Sequence, residues 1–458
     1  MENNSPRVIS ISKIKALAHQ ESTQSQRINL TPHDLGQLLL APIQRGLLYH
    51  KPILNSSQSK NFIEHLKSTL SRTLDFFFPL AGRLATATDH DNSNTVSFFI
   101  DCNNAGAEFA HAIAENVTVS DILEPIYVPD IVPNMFFPLN GVVNYDGVSY
   151  PLLAVQVTEL VDGVFIGLAI NHSVADGAAF WNFVNSWSEI SRKTYHNDNN
   201  LNDQIISKPP VIEHWFRNCS YSVIKIPLSL IETDHRDDPP MLKKRIFHFS
   251  KENILGLKEK ANIEAKVDNN NNKISSLQSV IAHIWKSLTL NRNLDPQEDT
   301  FYCLPIGVRS RFDPPIPETY FGNATQAGVV TMKARDILKS GIGYIAREMN
   351  KMIERCTEEN VRNNLEDWIK NPNLIKLAHG ISRKVMLASS LMRFDVYGND
   401  FGWGKPIAVR SGHGNRFDGL IAVYPGPEQG SLDVEVCVLH DVLQAMGSDS
   451  QFMDFVTL

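Results

Sequence analysis

The chain reads as an α/β protein of more than one domain, and three features carry that reading. Segments with apolar residues every three to four positions alternate with strand-like apolar runs along its length. With 458 residues, 43% of them hydrophobic and 20% charged, the chain suits two to three domains at ~150 residues each, every one able to bury a core. A polar, Asn-rich tract near residue 200 has the composition of an interdomain linker.

The first helix is expected after Thr31-Pro32-His33-Asp34, where Thr31 caps, Pro32 fits the first helical position and Asp34 favours the dipole, with Leu35 to Leu40 continuing it. A second helix is predicted from about Ser57 to Leu74, since Phe62, Leu66, Leu70 and Leu74 recur every four residues, and its apolar face should pack on a sheet. Phe76-Phe77-Phe78-Pro79-Leu80-Ala81-Gly82 ends it, and Ser97 to Asp101 reads as a strand. Leu152 to Asn171 is the clearest hairpin, turning at Asp162-Gly163, and its second strand is apolar almost throughout, so both faces should be covered. That strand runs into His172-Ser173-Val174-Ala175-Asp176-Gly177 and a helix from about Ala178 to Ile190. The polar tract from Ser191 to about Pro210 follows. Asp268 to Asn272 is expected as an exposed loop before a helix from Ser275 to Leu288. The chain should end with strands at Leu420 to Tyr424 and Leu432 to Leu439, joined by a Pro425-Gly426-Pro427 turn, and a short helix.

The charge balance is 43 − 50 = −7, and no run of five Lys or Arg occurs, so neither nucleic acid nor an anionic membrane is an expected partner. A small-molecule ligand is expected instead. The N-terminus lacks a basic region leading into an apolar stretch, and no apolar run reaches the ~18 residues that span a bilayer, which together point to the cytoplasm. Five cysteines (Cys102, Cys219, Cys303, Cys356, Cys437) form no C-x-x-C pair and suit a reducing compartment. No serine-hydrolase elbow, phosphate loop, dinucleotide fingerprint or H-E-x-x-H occurs, so those chemistries lose their usual support.

The positive signal is His172-x-x-x-Asp176-Gly177 at a strand-to-helix junction. Imidazole exchanges protons near neutral pH, and a strand end holds it rigidly. From spacing alone, however, the stronger reading is that His172 merely ends a strand and Asp176 merely caps a helix, and a metal site lacks a third ligand. A second motif, Asp400-Phe401-Gly402-Trp403-Gly404, makes the pattern specific. Together the two motifs resemble the plant BAHD acyl-CoA-dependent acyltransferases. Phe78-Pro79-Leu80-Ala81-Gly82-Arg83-Leu84, Gly307-Val308-Arg309-Ser310-Arg311 and Tyr320-Phe321-Gly322-Asn323 extend the likeness over nearly the whole chain. Arg393 to Gly398 and Asn415 to Gly419 resemble the branch labelled shikimate O-hydroxycinnamoyltransferase-like or uncharacterised acetyltransferase-like.

The resemblance implies two chloramphenicol-acetyltransferase-like α/β domains with a solvent channel between them. Residues 1–195 would carry H-x-x-x-D, 196–225 would cross over, and 226–458 would carry D-F-G-W-G. It further implies a monomer without a permanent cofactor, taking acyl-CoA as co-substrate and a small-molecule acceptor. His172 would be the general base, Asp176 would turn away to pair with Arg309, and Asp400 would belong to a shaping motif. Trp403 between two glycines suits packing, although it and Ser276 are also candidates for contacting CoA. The helix start at Ser275-Ser276, with Lys273 beside it, suits phosphate; a plain Ser275 cap is the competing reading. One departure concerns the oxyanion. Hydroxycinnamoyl-shikimate enzymes place a Trp nine residues before the motif Asp, whereas this chain has Leu391, leaving Ser389 or Ser390 as the nearby hydroxyls. A lyase on a chorismate-derived conjugate and a non-catalytic binding protein are the alternative functions, and the retained His172 favours transfer.

Overall fold

The computed structural model describes residues 5–18, 26–52, 56–88, 94–195, 206–215, 223–232, 242–266, 273–376 and 383–457. Its frame is two six-stranded sheets. The first runs, in spatial order, Arg7–Ile14, Ala107–Ile113, Leu153–Glu159, Gly163–Ile170, Ile43–His50 and Ala408–Ser411. The second runs Leu242–Phe249, Leu432–Leu439, Leu420–Pro425, Val385–Ser390, Asp299–Gly307 and Thr325–Lys333. Both mix antiparallel with parallel pairs, and parallel neighbours such as Ala107–Ile113 with Leu153–Glu159 need long connections. This is the two-domain chloramphenicol-acetyltransferase-like α/β fold.

Helices cover each sheet on an apolar face. Against the first lie Ser56–Phe76 and Gly177–Tyr195, which pack on one another. Leu66, Leu70 and Leu74 of the former and Phe180, Phe183, Val184 and Trp187 of the latter are fully buried, as their spacing predicts. Lys251–Glu264, Ser276–Asn291 and Ile342–Glu354 form the corresponding layer over the second sheet. The hairpin pairs Leu153 with Ile170 through Glu159 with Val164, and every residue of Gly163–Ile170 is buried.

Two expectations change. The helix begun by Thr31 has the full capping box with Asp34 but spans only Pro32–Leu35. The next carbonyls serve distant partners instead of a fourth-residue amide: Gly36 accepts from Ile375 N at 2.9 Å, Leu38 from Tyr145 N at 2.9 Å and Leu40 from Asn144 N at 2.8 Å. Such bonds end a helix that propensity alone would continue. The expected division at 196–225 is also crossed, because the sixth strand of the first sheet, Ala408–Ser411, comes from the C-terminal half and pairs with Leu48 to Arg45. The segment carrying Asp400 to Gly404 therefore packs on the N-terminal half, not within a self-contained unit of 226–458. Of the expected linker, residues 196–205 and 216–222 lie outside the described residues, as do Cys219 and the 268–272 loop. Val211 is described and binds alongside Thr319 and Phe321 of the second half.

Candidate active site

A cavity of about 2200 Å³ lies between the two halves, with walls drawn from both. His172 lines it, two residues beyond the end of the strand Gly163–Ile170. Its backbone is pinned from two sides. The amide donates to Asn144 Oδ1 at 2.7 Å and the carbonyl accepts from Asn323 Nδ2 at 2.8 Å. Asn171 ties the same turn down, donating to Asn144 O at 2.7 Å and accepting from Ser173 N and Oγ at 3.0 and 2.6 Å. Asn323 is itself held by Asp34 Oδ1, at 3.0 Å to its amide and 2.9 Å to its side chain. The His172 Nδ1 is covered and meets no partner at strict hydrogen-bonding geometry, and the residue lines the cavity. Burial lowers the His172 pKa below 6.5, with backbone groups of His172 and Ala175 and the Asp176 charge offsetting part of the effect and Arg45 adding to it. The ring is thus neutral at pH 7, the form that accepts a proton.

Asp176 is buried, and its carboxylate is saturated. Arg309 donates twice, at 2.6 and 3.0 Å, and the amides of Ala178, Ala179 and Ala324 each donate at 3.0 Å. Burial alone would raise its pKa, but the Arg309 charge and these donors more than offset burial and hold it below the usual carboxylate value. Arg309 also donates to the carbonyls of Tyr320 and Gly322 at 3.0 and 3.3 Å. The pair joins the halves across 133 residues and starts the helix Gly177–Tyr195, and it has no lone pair left for chemistry.

The second motif lies elsewhere. Asp400 Oδ1 accepts from the amides of Gly402 and Gly404 at 2.8 and 3.0 Å, folding the loop on itself. Phe401 is fully buried against Trp187, with centroids 4.8 Å apart, and Trp403 packs on Phe62 at 4.7 Å. Gly402 has φ +116°, and a Cβ there would stand 2.6 Å from Tyr195 Cγ. Neither Asp400 nor Trp403 lines the cavity of His172. Ser276 is likewise not on that wall, whereas its neighbours Ser275 and Gln278 are. Those two close a capping box in which Ser275 Oγ accepts from the Gln278 amide and the Gln278 side chain reaches back to accept from the Ser275 amide. Leu391 and Ser389 do line the cavity. The Ser390 side chain lies outside the described residues.

Spacing did not reveal Asn144 and Asn323, which hold the His172 turn, or His33 and Arg45, which share its cavity. Asn323 had a faint signal in Tyr320-Phe321-Gly322-Asn323. The other three sit in segments whose pattern shows only a cap, a strand or a turn. Among the described residues no group of three His, Cys, Asp or Glu is placed to hold a metal, and no helix is long and apolar enough to cross a membrane.

This arrangement, two sheet-and-helix halves around a histidine-lined channel, defines a class of transferases. The Transferase family profile matches residues 8–453, and the chain belongs to the BAHD acyltransferase family. It is 40% identical over 94% of its length, and 94% of the relative's, to an uncharacterized acetyltransferase of Arabidopsis thaliana. It is 29% identical over 82% of its length to the shikimate O-hydroxycinnamoyltransferase of Nicotiana tabacum, covering 86% of that protein. Among solved structures, F. sporotrichioides TRI101 complexed with coenzyme A and T-2 superposes with a TM-score of 0.72 at 17% identity, covering 94% of this chain and 99% of that one. At that identity the likeness speaks for the fold.

Proposed function

We propose that this acyltransferase moves an acyl group from acyl-CoA to a hydroxyl or amine of a small molecule, with His172 as general base. The observation that carries the reading is the contrast between two neighbouring side chains. The His172 imidazole lines the channel with no side chain paired to it among the described residues, while the Asp176 carboxylate is spent on Arg309 and three amides. A neutral imidazole takes the acceptor's proton as its oxygen or nitrogen attacks the thioester carbonyl, and the imidazolium then donates that proton to the departing sulfur. No covalent acyl-enzyme is required. Asp176 and Arg309 act as architecture, setting the start of the helix that follows His172. The coenzyme A in the TRI101 complex supports acyl-CoA as donor.

The test is incubation of the purified protein with a panel of acyl-CoAs and a plant small-molecule extract while free thiol is followed. Acceptor-dependent thiol release that is lost in His172→Ala supports the reading. Ligand binding without thiol release points to a binding protein, and conversion of extract components without acyl-CoA points to a lyase.

A further inference from the structure

The cationic residues on the channel wall are committed unequally. Arg309 is spent on Asp176, and Arg311 donates to Cys356 O at 2.5 Å. Lys208 and Arg393 are exposed. Arg45 differs from all of these. It projects from the strand Ile43–His50 into the same cavity as His172, half-buried, and no carboxylate lies within 4 Å of it among the described residues. One outer nitrogen donates to its own neighbour's carbonyl, Gln44 O, at 2.8 Å; the other reaches Ser389 Oγ only at 3.5 Å; and Nε is covered without an acceptor. Glu435, the buried carboxylate whose ionisation senses Arg45, is taken by Lys244 Nζ at 3.2 Å and by the Ser411 hydroxyl. Arg45 also bears electrostatically on His172.

A partly covered guanidinium with no carboxylate partner has donors to offer, and a ligand that supplies the negative charge gains charge-assisted hydrogen bonds there. The planar fork suits a carboxylate, and Ser389 stands beside it to donate a further hydrogen bond. We propose that Arg45, with Ser389, is a specificity site for a substrate carboxylate, so that the molecule acylated, or the acyl group delivered, is an acid. This deepens the proposed transferase activity and rests on it. A transient reaction oxyanion is the competing use of Arg45, and it predicts equal effects on acids and esters.

Binding separates this site from the activity, because it needs no turnover. Calorimetric titration of the full chain with 3-hydroxybenzoate, 4-aminobenzoate and 3-hydroxybutanoate, each beside its methyl ester, tests the acceptor arm. Titration with malonyl-CoA beside acetyl-CoA tests the acyl arm. The expected result is a preference for the acid of about tenfold or more in one arm, falling to about threefold or less in Arg45→Gln and partly restored in Arg45→Lys. The same loss of preference should appear in the acid-to-ester ratio of kcat/KM wherever turnover is found. No acid preference by the parent in either arm, or one unchanged in Arg45→Gln or in Arg45→Lys should the former not fold, overturns the proposal. A parent that prefers acids yet releases no thiol from any acyl-CoA overturns the transferase reading instead.

Discussion

Asp176→Ala should unfold the protein more easily, not merely silence it. The side chains of Asp176 and Arg309 are 1% and 11% exposed, so this pair belongs with buried ion pairs and not with surface ones worth about 0–1 kcal/mol. Deleting the carboxylate strands a guanidinium left with two carbonyl acceptors and frees three amides of Ala178, Ala179 and Ala324. Breaking one partner of such a pair costs about 3–5 kcal/mol. Denaturant midpoints at pH 7, followed by circular dichroism, measure it. Arg309→Met should cost a similar amount by leaving the carboxylate buried with amides alone. The double variant should lose less than the sum of the two, with a coupling of about 0.5–3 kcal/mol. The pH dependence has a definite sign. The native Asp176 pKa lies below the ordinary value, so its contribution is present above the unfolded pKa of about 3.9 and is lost as pH falls through the native value. The gap between parent and Asp176→Ala should therefore close toward strong acid. An unaltered midpoint with abolished turnover would refute the architectural role and put Asp176 in the chemistry.

His172→Ala should keep its melting temperature while turnover with any acyl-CoA used by the parent falls by about 10²–10⁴-fold; normal turnover would remove the base from the mechanism. The acid limb of kcat/KM should fall below pH 6.5, because burial lowers the His172 pKa and the neutral ring is the active form; a limb above 6.5 contradicts this. Gly402→Ala places a Cβ at φ +116° against Tyr195 and should cost about 1–3 kcal/mol of stability, with the Michaelis constants for both substrates unmoved. Ser275→Ala removes a cap worth about 1 kcal/mol, read as a lower melting midpoint; a rise confined to the Michaelis constant for acyl-CoA would instead show that this helix end meets the phosphates.

Local chemistry in the sequence determines much of this protein. Periods of four marked the buried stripe Phe62, Leu66, Leu70 and Leu74, unbroken apolarity marked Gly163–Ile170 as covered on both faces, and Ser275 marked a helix start, because each depends on residues a few positions apart. The two motifs, with the family resemblance they carry, also singled out His172 and the pairing of Asp176 with Arg309. Tertiary structure alone decided what depends on distant partners. The Thr31 helix stops at Leu35 because carbonyls of Gly36, Leu38 and Leu40 meet amides from far along the chain. Ala408–Ser411 joins the first sheet because its backbone pairs across more than 350 residues with Ile43–His50, a choice that no local pattern encodes. Arg45 is an ordinary polar residue in an apolar strand until the fold sets it on the cavity wall of His172, with no carboxylate within 4 Å among the described residues. Its chemistry comes from what surrounds it, and those surroundings exist only once both halves have closed on the channel.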